Sequence, residues 1–333
     1  MTSLPTADGS RATHLLTPAR RDYAFGGTRL GRYGKAPSGR LAETWEFSLY
    51  PGRESRLRAG GEGLDAFVAR AFGLDRAARA GLPLVKLLDV SGQLPVHCHP
   101  NDAQAQSMEE PDPGKDEAWL ILEAGPEAAV FLGFVDAPND QAIRRALADG
   151  SLRERMVRLT PQAGDVVMVP AGTAHSARDV VLWEVQQTSD RSLLAEETDL
   201  WQRPLPAAAV ASQLSAFLAV ARREPPAPAL WAAHVLPTPL GAGRRLLAGC
   251  AHVVMEAIDG NGAIALPAGA YTVAAGTVRL DEGEACVGDS FVVTPTGASV
   301  GAGPDGARLL RAWREDEASA LTLQQEGRYF EGD

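Results

Sequence analysis

The sequence LPVHCHP, residues 94–100, decides which fold and which kind of site we expect. Successive side chains of an extended strand point to opposite faces, so His97 and His99 project from one face if this stretch is a strand. The 333 residues contain only six histidines, so this pair is a candidate for shared chemistry, although an isolated His-x-His pair is weak evidence. Cys98 faces the other side, where we expect a small buried hydrophobe.

Two later segments supply further candidate ligands. Glu117 opens the apolar run EAWLIL, which predicts a strand. His175 follows GDVVMVPAGTA, residues 164–174, which predicts a strand, a Pro/Gly turn and a short return. Three imidazole nitrogens and one carboxylate oxygen can hold a divalent transition metal and leave positions for water or substrate. The predicted metal ligands are His97, His99, Glu117 and His175.

Composition limits the classes of function. A formal net charge of -10 argues against a nucleic-acid partner, which would require a basic stripe. The three cysteines form no CxxC pair, which favours a reducing cytoplasm. The chain has no signal-like N-terminus and no run of about 18 apolar residues, so we expect neither export nor a membrane span.

Apolar runs separated by Gly/Pro turns predict a mainly β protein. Strands are expected over residues 41–48, 83–90, 117–122, 128–135 and 181–187. Helices are expected over 63–80, 141–147 with a cap at Asn139 or Asp140, and 152–156. Alternating strands with helices mainly at the periphery indicate an antiparallel barrel of jelly-roll type.

The second half predicts another barrel. An alanine-rich helical stretch over 206–223 is followed by EPPAP, which indicates a linker. GDSFVVTPTGASV, residues 288–300, repeats the 164–175 pattern with one more residue before the proline and with Val300 at the histidine position. Since 333 residues exceed what one core usually serves, we expect two domains. The predicted division is a metal-binding domain with helical insertions over 1–205, a linker over 206–228, and a barrel without metal ligands over 229–333.

Several motifs in a fixed order resemble those of one enzyme family. The chain is similar from about residue 20 to 190 to the short bacterial form of the type I mannose-6-phosphate isomerases, with a weaker echo beyond. The motifs are FGGT at 25–28, AETWEFS at 42–48, PLVKLLD at 83–89, HCHPND at 97–102, GKDEAW at 114–119, the 164–175 segment and EVQQTSD at 184–190. The resemblance implies a bicupin fold of two jelly-roll barrels with a few peripheral helices. It also implies a zinc ion and interconversion of mannose 6-phosphate with fructose 6-phosphate.

The resemblance also assigns the metal ligands. The family's ligands are the Gln and His of Gln-x-His-Pro, the Glu of Gly-Lys-x-Glu and the His after Pro-Ala-Gly. His99, Glu117 and His175 match these positions, whereas His97 replaces the glutamine. Because imidazole is the stronger ligand, metal binding should survive, and Fe²⁺, Mn²⁺, Co²⁺ or Ni²⁺ could be preferred over Zn²⁺.

Substrate recognition departs further from the family. Lys86 and Lys115 correspond to lysines that would attract the phosphate of a sugar ester. Lys86 also stands out by itself, because a lysine within a buried strand needs a partner. Pro95 occupies the position of a family serine, and Leu194 that of a family arginine. Arg191 could substitute for this arginine from a shifted position.

An isomerase also needs a group that moves a proton between C2 and C1 through an enediolate, which the metal would stabilise. The sequence does not identify this base. Glu46, Lys115 and Glu197 are candidates, and Arg191 is a further candidate catalytic residue. An exposed strand carboxylate is the alternative interpretation of Glu46.

Two other functions stay open at this point. Three histidines and one glutamate in a cupin also hold iron or manganese in oxygenases. A sugar-binding or regulatory relative could keep the metal and lose turnover, as the missing arginine suggests. The expected partner is a small-molecule sugar phosphate, with neither nucleic acid nor membrane, and the expected protein is a cytoplasmic monomer or homodimer.

Overall fold

The computed structural model describes residues 11–35, 39–232, 238–241, 243–314 and 329–330. Its strands, in chain order, are β1 (Thr13–Thr17), β2 (Ala19–Arg21), β3 (Glu43–Phe47), β4 (Arg56–Leu57), β5 (Leu84–Gln93), β6 (His97–Cys98), β7 (Glu117–Phe134), β8 (Met156–Leu159), β9 (Val166–Val169), β10 (His175–Gln186), β11 (Leu193–Leu194), β12 (Trp231–Ala232), β13 (Thr238–Gly241), β14 (Arg244–Cys250), β15 (Val254–Gly260), β16 (Ala263–Leu266), β17 (Gly269–Leu280), β18 (Gly283–Cys286), β19 (Ser290–Val293), β20 (Ala298–Trp313) and β21 (Tyr329–Phe330). The helices are α1 (Leu64–Phe72), α2 (Arg76–Ala80), α3 (Asp102–Ser107), α4 (Asp140–Ala148) and α5 (Ala207–Val220), with 3-10 turns at Arg29–Tyr33, Leu152–Arg155 and Pro228–Leu230.

The strands form two sheets. In the first, the order is β12, β9, β7, β10, β5, β3, β2, with β6 and β8 pairing to β10 and β7, and β11 to β6. In the second, the order is β13, β14, β15, β20, β17, β19, β1, β4, with β16, β18 and β21 attached. The domain boundaries at 205 and 228 stay a prediction. The N-terminal strand β1 lies in the second sheet, where Thr13 pairs with Val293 of β19.

Apolar side chains form clusters within the two sheets and between them. One cluster lies inside the first sheet and includes Leu88, Trp119 and Leu182. A second lies inside the other sheet, around Tyr271 and Phe291. The largest cluster joins the two sheets, and within it the Trp183 Nε1 donates a hydrogen bond of 3.1 Å to the Thr272 hydroxyl.

Local sequence signals explain most elements. The predicted helical stretch over 63–80 forms α1 and α2, because Gly73 takes a left-handed conformation at φ 64° and ends α1. The Asn139 side chain caps α4 by accepting a hydrogen bond from the Ala142 N–H, as predicted. The strands expected over 117–122 and 128–135 are one strand, β7. Helix α3 was not predicted, although Asn101 and Gln104 form a capping box at its start.

Helix α5 packs against the strand that carries the first histidine. Cys98 is fully buried, as expected, and shares a cluster with Val96 and Phe217 of α5. The alanine-rich segment interpreted as a linker therefore covers the back of β6. In the part of the chain that the structure describes, we find no helix that is long and apolar enough to cross a membrane.

Candidate metal centre

Three histidines converge inside the first sheet. The candidate ligand atoms of His97, His99 and His175 all lie within 4.8 Å of one another, and all three residues are buried. His175 opens β10 directly opposite His97 of β6. His99 follows the end of β6, and its ring centroid lies 5.0 Å from that of His97, so the two imidazoles share one face as predicted.

Main-chain carbonyls orient these three rings. The Nδ1 atoms of His97, His99 and His175 each lie 2.8 Å from a carbonyl oxygen, those of Pro95, Arg191 and Thr173 respectively. A carbonyl oxygen can only accept, so each Nδ1 carries the proton and each Nε2 presents a lone pair. This is the tautomer that a metal-binding imidazole needs.

Glu117 completes the cluster. Its Oε1 lies 3.0 Å from His175 Nε2, and its Oε2 lies 3.3 Å from His99 Nε2 and 3.0 Å from Lys115 Nζ. Burial opposes ionisation, but Lys115 and the neighbouring histidines hold the pKa of Glu117 well below its ordinary value. Burial, aided by Lys115, lowers the pKa of His99 to about 3, and burial together with His175 lowers the pKa of His97. His97 and His99 are therefore neutral imidazoles beside an ionised carboxylate.

These residues fit a divalent metal ion. His99 Nε2, His175 Nε2 and both Glu117 carboxylate oxygens are buried without a hydrogen bond among the described residues, although Lys115 Nζ forms an ion pair with Glu117 Oε2. Buried polar atoms without partners are costly, and a cation between them would satisfy all four. Nitrogen and carboxylate donors in this proportion suit zinc and the neighbouring transition metals.

A cavity of about 180 Å³ opens beside His97. Aromatic and aliphatic side chains such as Tyr23, Phe25 and Leu94 form part of its wall. Its charged lining residues are Glu43, Lys86, Lys115, Glu184, Asp190 and Arg191. The predicted substrate-binding lysines, Lys86 and Lys115, therefore face the same space as a candidate ligand.

Lys86 forms a buried ion pair on this wall. Its Nζ lies 3.1 Å from Glu184 Oε1, and Trp119 Nε1 donates a hydrogen bond of 2.9 Å to the other oxygen of Glu184. Burial disfavours the charged lysine, yet Glu184 and Glu43 raise its pKa above the ordinary value. Burial also raises the pKa of Glu184. The lysine is thus charged, and the Glu184 carboxylate takes up a proton more easily than an ordinary glutamate does.

Arg191 contributes to the centre through its main-chain carbonyl and through its side chain. Its carbonyl oxygen holds His99, while its guanidinium Nη2 lies 2.9 Å from Glu110 Oε1 at the cavity. Leu194, at the position of the family arginine, also lines the cavity and pairs with His97 through β11. Arg191 therefore supplies a cation on this side of the cavity.

Two predicted catalytic residues are not brought to the cavity. Glu46 is fully buried, where its carboxylate accepts hydrogen bonds of 2.8 Å from Lys35 and 2.5 Å from Thr44. The opposite face of β3, which carries Trp45, meets Lys86, so Glu46 points away from the site. It is not an exposed carboxylate either. Glu197 is exposed and does not line the cavity.

Two other carboxylates, which were not predicted from the sequence, line the cavity instead. Glu43 accepts a hydrogen bond from Trp45 Nε1 at 2.9 Å, and both it and Glu184 line the cavity. Glu184 has the same strand parity as Leu182, which packs inside the sheet, and lies directly opposite Lys86. The opposite charges of Lys86 and Glu184 on two buried strands could have indicated this pair from the sequence. That prediction would have required the register between β5 and β10.

Sequence comparison finds mannose-6-phosphate isomerases. No family model matches the chain. A probable mannose-6-phosphate isomerase of Bacillus subtilis is 31% identical over 194 residues, which make up 56% of this chain and 61% of the relative. The match therefore spans about three fifths of the relative's own length.

Structure comparison extends the likeness. The mannose 6-phosphate isomerase of Bacillus subtilis superposes with a TM-score of 0.76 at 20% identity, over 91% of this chain and 99% of the other. A mannose 6-phosphate isomerase bound with zinc and yttrium gives a TM-score of 0.65 at 19% identity, over 92% and 100%. The mainly β bicupin fold with a few peripheral helices is thereby confirmed. The chain has the fold of the mannose-6-phosphate isomerases and is similar to them in sequence over 56% of its length, as its motifs indicate.

Proposed function

We propose that this protein is a metal-dependent aldose-ketose isomerase that interconverts mannose 6-phosphate and fructose 6-phosphate or a related sugar. One observation carries the proposal: the candidate ligand atoms of three histidines converge with Glu117 beside a cavity lined by two lysines, and the donor atoms of His99, His175 and Glu117 are buried without a hydrogen bond among the described residues. The similarity to mannose-6-phosphate isomerases supports the same reaction. A single cavity would then hold both the metal and the sugar.

The proposed metal is zinc, held by His97, His99, Glu117 and His175. When bound, it would polarise the sugar carbonyl and the neighbouring hydroxyl. Neutral imidazoles with fixed Nδ1 protons support this assignment, as does the likeness to a zinc-bound isomerase. Glu117 would balance part of the ion's charge within the buried site.

The cations on the cavity wall are proposed to bind the phosphate. Lys86, Lys115 and Arg191 each lie within 3.1 Å of a carboxylate oxygen, so their positions are fixed before a substrate arrives. A phosphate dianion would compete with these carboxylates for the same donors. The apolar walls around Tyr23 and Phe25 would limit water beside the sugar.

Proton transfer requires a group that can both take and return a proton. Lys115 lines the cavity and remains a candidate base. Glu184 becomes a second candidate, because burial raises its pKa and a carboxylate with a raised pKa is a stronger proton acceptor than an ordinary one. Either group would move the proton between C2 and C1 through an enediolate. Lys86, at 3.1 Å, would favour the ionised form of Glu184 again afterwards.

Domain organisation, cellular compartment and oligomeric state are also proposed. We propose a metal-binding N-terminal domain to residue 205 and a C-terminal barrel from residue 229. Sparse cysteines and an acidic composition support action in the cytoplasm on a small sugar phosphate, as a monomer or homodimer.

The decisive experiment is a coupled assay of mannose 6-phosphate isomerisation, with metal analysis of protein purified without added metal. We expect turnover by the wild type, bound zinc, and loss of both in His99→Ala. His14→Ala is the matched control, because His14 is buried against Phe67 and does not line the cavity. No wild-type activity on this or related hexose phosphates would refute the proposal, and bound iron with oxygen consumption would favour an oxygenase.

A further inference from the structure

Asp116 lies between Lys115 and Glu117 and fixes the backbone of both. Its N–H donates a hydrogen bond of 2.8 Å to the Gln187 side chain, and its carbonyl accepts one of 3.1 Å from the Gln187 N–H. Gln187 directly follows β10. The segment that carries Glu117 is therefore fastened to the far end of the strand that begins with His175.

The carboxylate of Asp116 holds a second ligand-bearing segment. Its Oδ1 accepts a hydrogen bond of 2.8 Å from the Ala171 N–H, within the turn that precedes His175. In the same turn, the Gly172 N–H donates to the His99 carbonyl at 2.7 Å, and the Thr173 carbonyl holds His175 Nδ1. The backbones that position three of the candidate ligands thus meet around one buried carboxylate.

The other oxygen of this carboxylate faces the second sheet. His252 lies in the turn between β14 and β15, and its Nε2 is 3.5 Å from Asp116 Oδ2. A hydrogen bond of 2.9 Å from the Cys250 N–H to the Val253 carbonyl closes this turn. The Asp116 side chain is 6% exposed and that of His252 34% exposed, so the contact lies at the edge of the buried site.

We infer that His252 is a positioning residue for the metal site. The second barrel, in which Val300 stands at the repeat position of His175, would then contribute to metal binding indirectly. The 3.5 Å contact with His252 would fix the Asp116 carboxylate, which bonds the turn that precedes His175 and, through Gly172 of that turn, the segment of His99, while Glu117 follows Asp116 directly. This inference rests on the metal site of the proposed function, but not on the identity of the sugar or the reaction.

The test measures cobalt(II) binding to the full-length apoprotein by its visible absorption, in competition with a chelator and without sugar. Partners that orient metal ligands typically change affinity by about 10-fold to 100-fold, and we expect about a 10-fold loss in His252→Ala. His252→Gln should restore most of the affinity, because its amide N–H can occupy the place of Nε2. Arg58→Ala is the matched control, since it breaks an ion pair of 2.6 Å with Asp289 that lies beside strands β4 and β19 of the second sheet and touches no ligand segment.

The visible absorption intensity of the cobalt-saturated protein reports the geometry of the ligands. Loss of a purely structural contact would leave this intensity unchanged. Unchanged cobalt affinity in His252→Ala would overturn the inference, as would an equal loss in Arg58→Ala or a failure of glutamine to restore binding. A wild type that binds no cobalt would refute the metal site and this inference together. A wild type that binds cobalt normally but isomerises no sugar would refute the proposed reaction and leave the role of His252 standing.

Discussion

The buried pair of Lys86 and Glu184 allows a sharp test of the charges at the cavity. The two side chains are 5% and 4% exposed, and their charged atoms are 3.1 Å apart. Lys86→Met keeps most of the apolar stem and removes the cation, which leaves a buried carboxyl without its partner. Removing one member of a buried ion pair typically costs about 3–5 kcal/mol, a large part of a total stability of about 5–15 kcal/mol.

The stability that Lys86→Met loses should increase with pH. Burial already raises the pKa of Glu184, and without Lys86 it rises further. The folded variant then keeps a proton that the unfolded chain releases at about pH 4.3. The variant therefore loses little stability below that pH and progressively more, up to about 1.4 kcal/mol per pH unit, as the pH rises toward the folded pKa.

Urea unfolding of the apoprotein, followed by tryptophan fluorescence at about pH 5 and about pH 8, measures this effect. We expect Lys86→Met to fall below the wild type mainly at the higher pH. The double variant Lys86→Met/Glu184→Gln should recover most of the loss, because Trp119 can still donate to the new amide oxygen. An equal loss at both pH values, or a double variant no more stable than the single one, would refute the reasoning.

Two further predictions follow from single features of the structure. Chelation of the metal should lower the Tm, because the buried donors of His99, His175 and Glu117 lose their common partner, and zinc should restore it; a Tm indifferent to both, measured by calorimetry, would contradict the metal site. Asn139→Ala should reduce the free energy of urea unfolding by about 1 kcal/mol, because the Ala142 N–H loses its cap at 2.9 Å. Asn139→Asp is the control, and a stability equal to that of the alanine variant would contradict the capping role.

The sequence predicted the histidine cluster because strand parity alone brings His97 and His99 to one face. The third histidine follows a Pro/Gly turn whose return strand begins at His175, opposite His97. The parity of His97 and His99 and the turn before His175 are local features, whereas the approach of His175 to His97 depends on the pairing of β6 with β10, which the resemblance in motif order implied. The helix cap at Asn139 was predictable because it too is a local feature.

The acidic wall of the cavity was not predictable in this way. Glu184 meets Lys86 only because β10 and β5 pair in one register. Strand β3 carries a register irregularity between Trp45 and Phe47, while Glu43 and Glu46, three residues apart, point to opposite faces, and only the pairing of β3 with β5 shows that Glu43 faces the cavity. Pairing and irregularities of this kind depend on packing between distant segments.

In the proposed site, the atoms that orient the metal ligands differ from those that would bind the substrate. All three imidazoles are held by main-chain carbonyls, so the side chains of the residues that supply these carbonyls can vary without changing how the imidazoles are oriented. Arg191 combines the two roles, because its carbonyl holds His99 while its guanidinium lies at the cavity. Arg191→Ala keeps the carbonyl and removes only the cation.

We therefore expect Arg191→Ala to leave cobalt affinity within about 3-fold of the wild type and to raise the KM for a sugar phosphate about 10-fold, the effect of losing about 1.4 kcal/mol from one charge-assisted contact. Arg191→Lys should be intermediate, because a lysine keeps the charge but not the planar pair of donors. Steady-state kinetics and chelator competition on the same preparations measure both quantities. A large loss of cobalt affinity would show that the side chain supports His99, whereas an unchanged KM would place the phosphate on Lys86 and Lys115 alone.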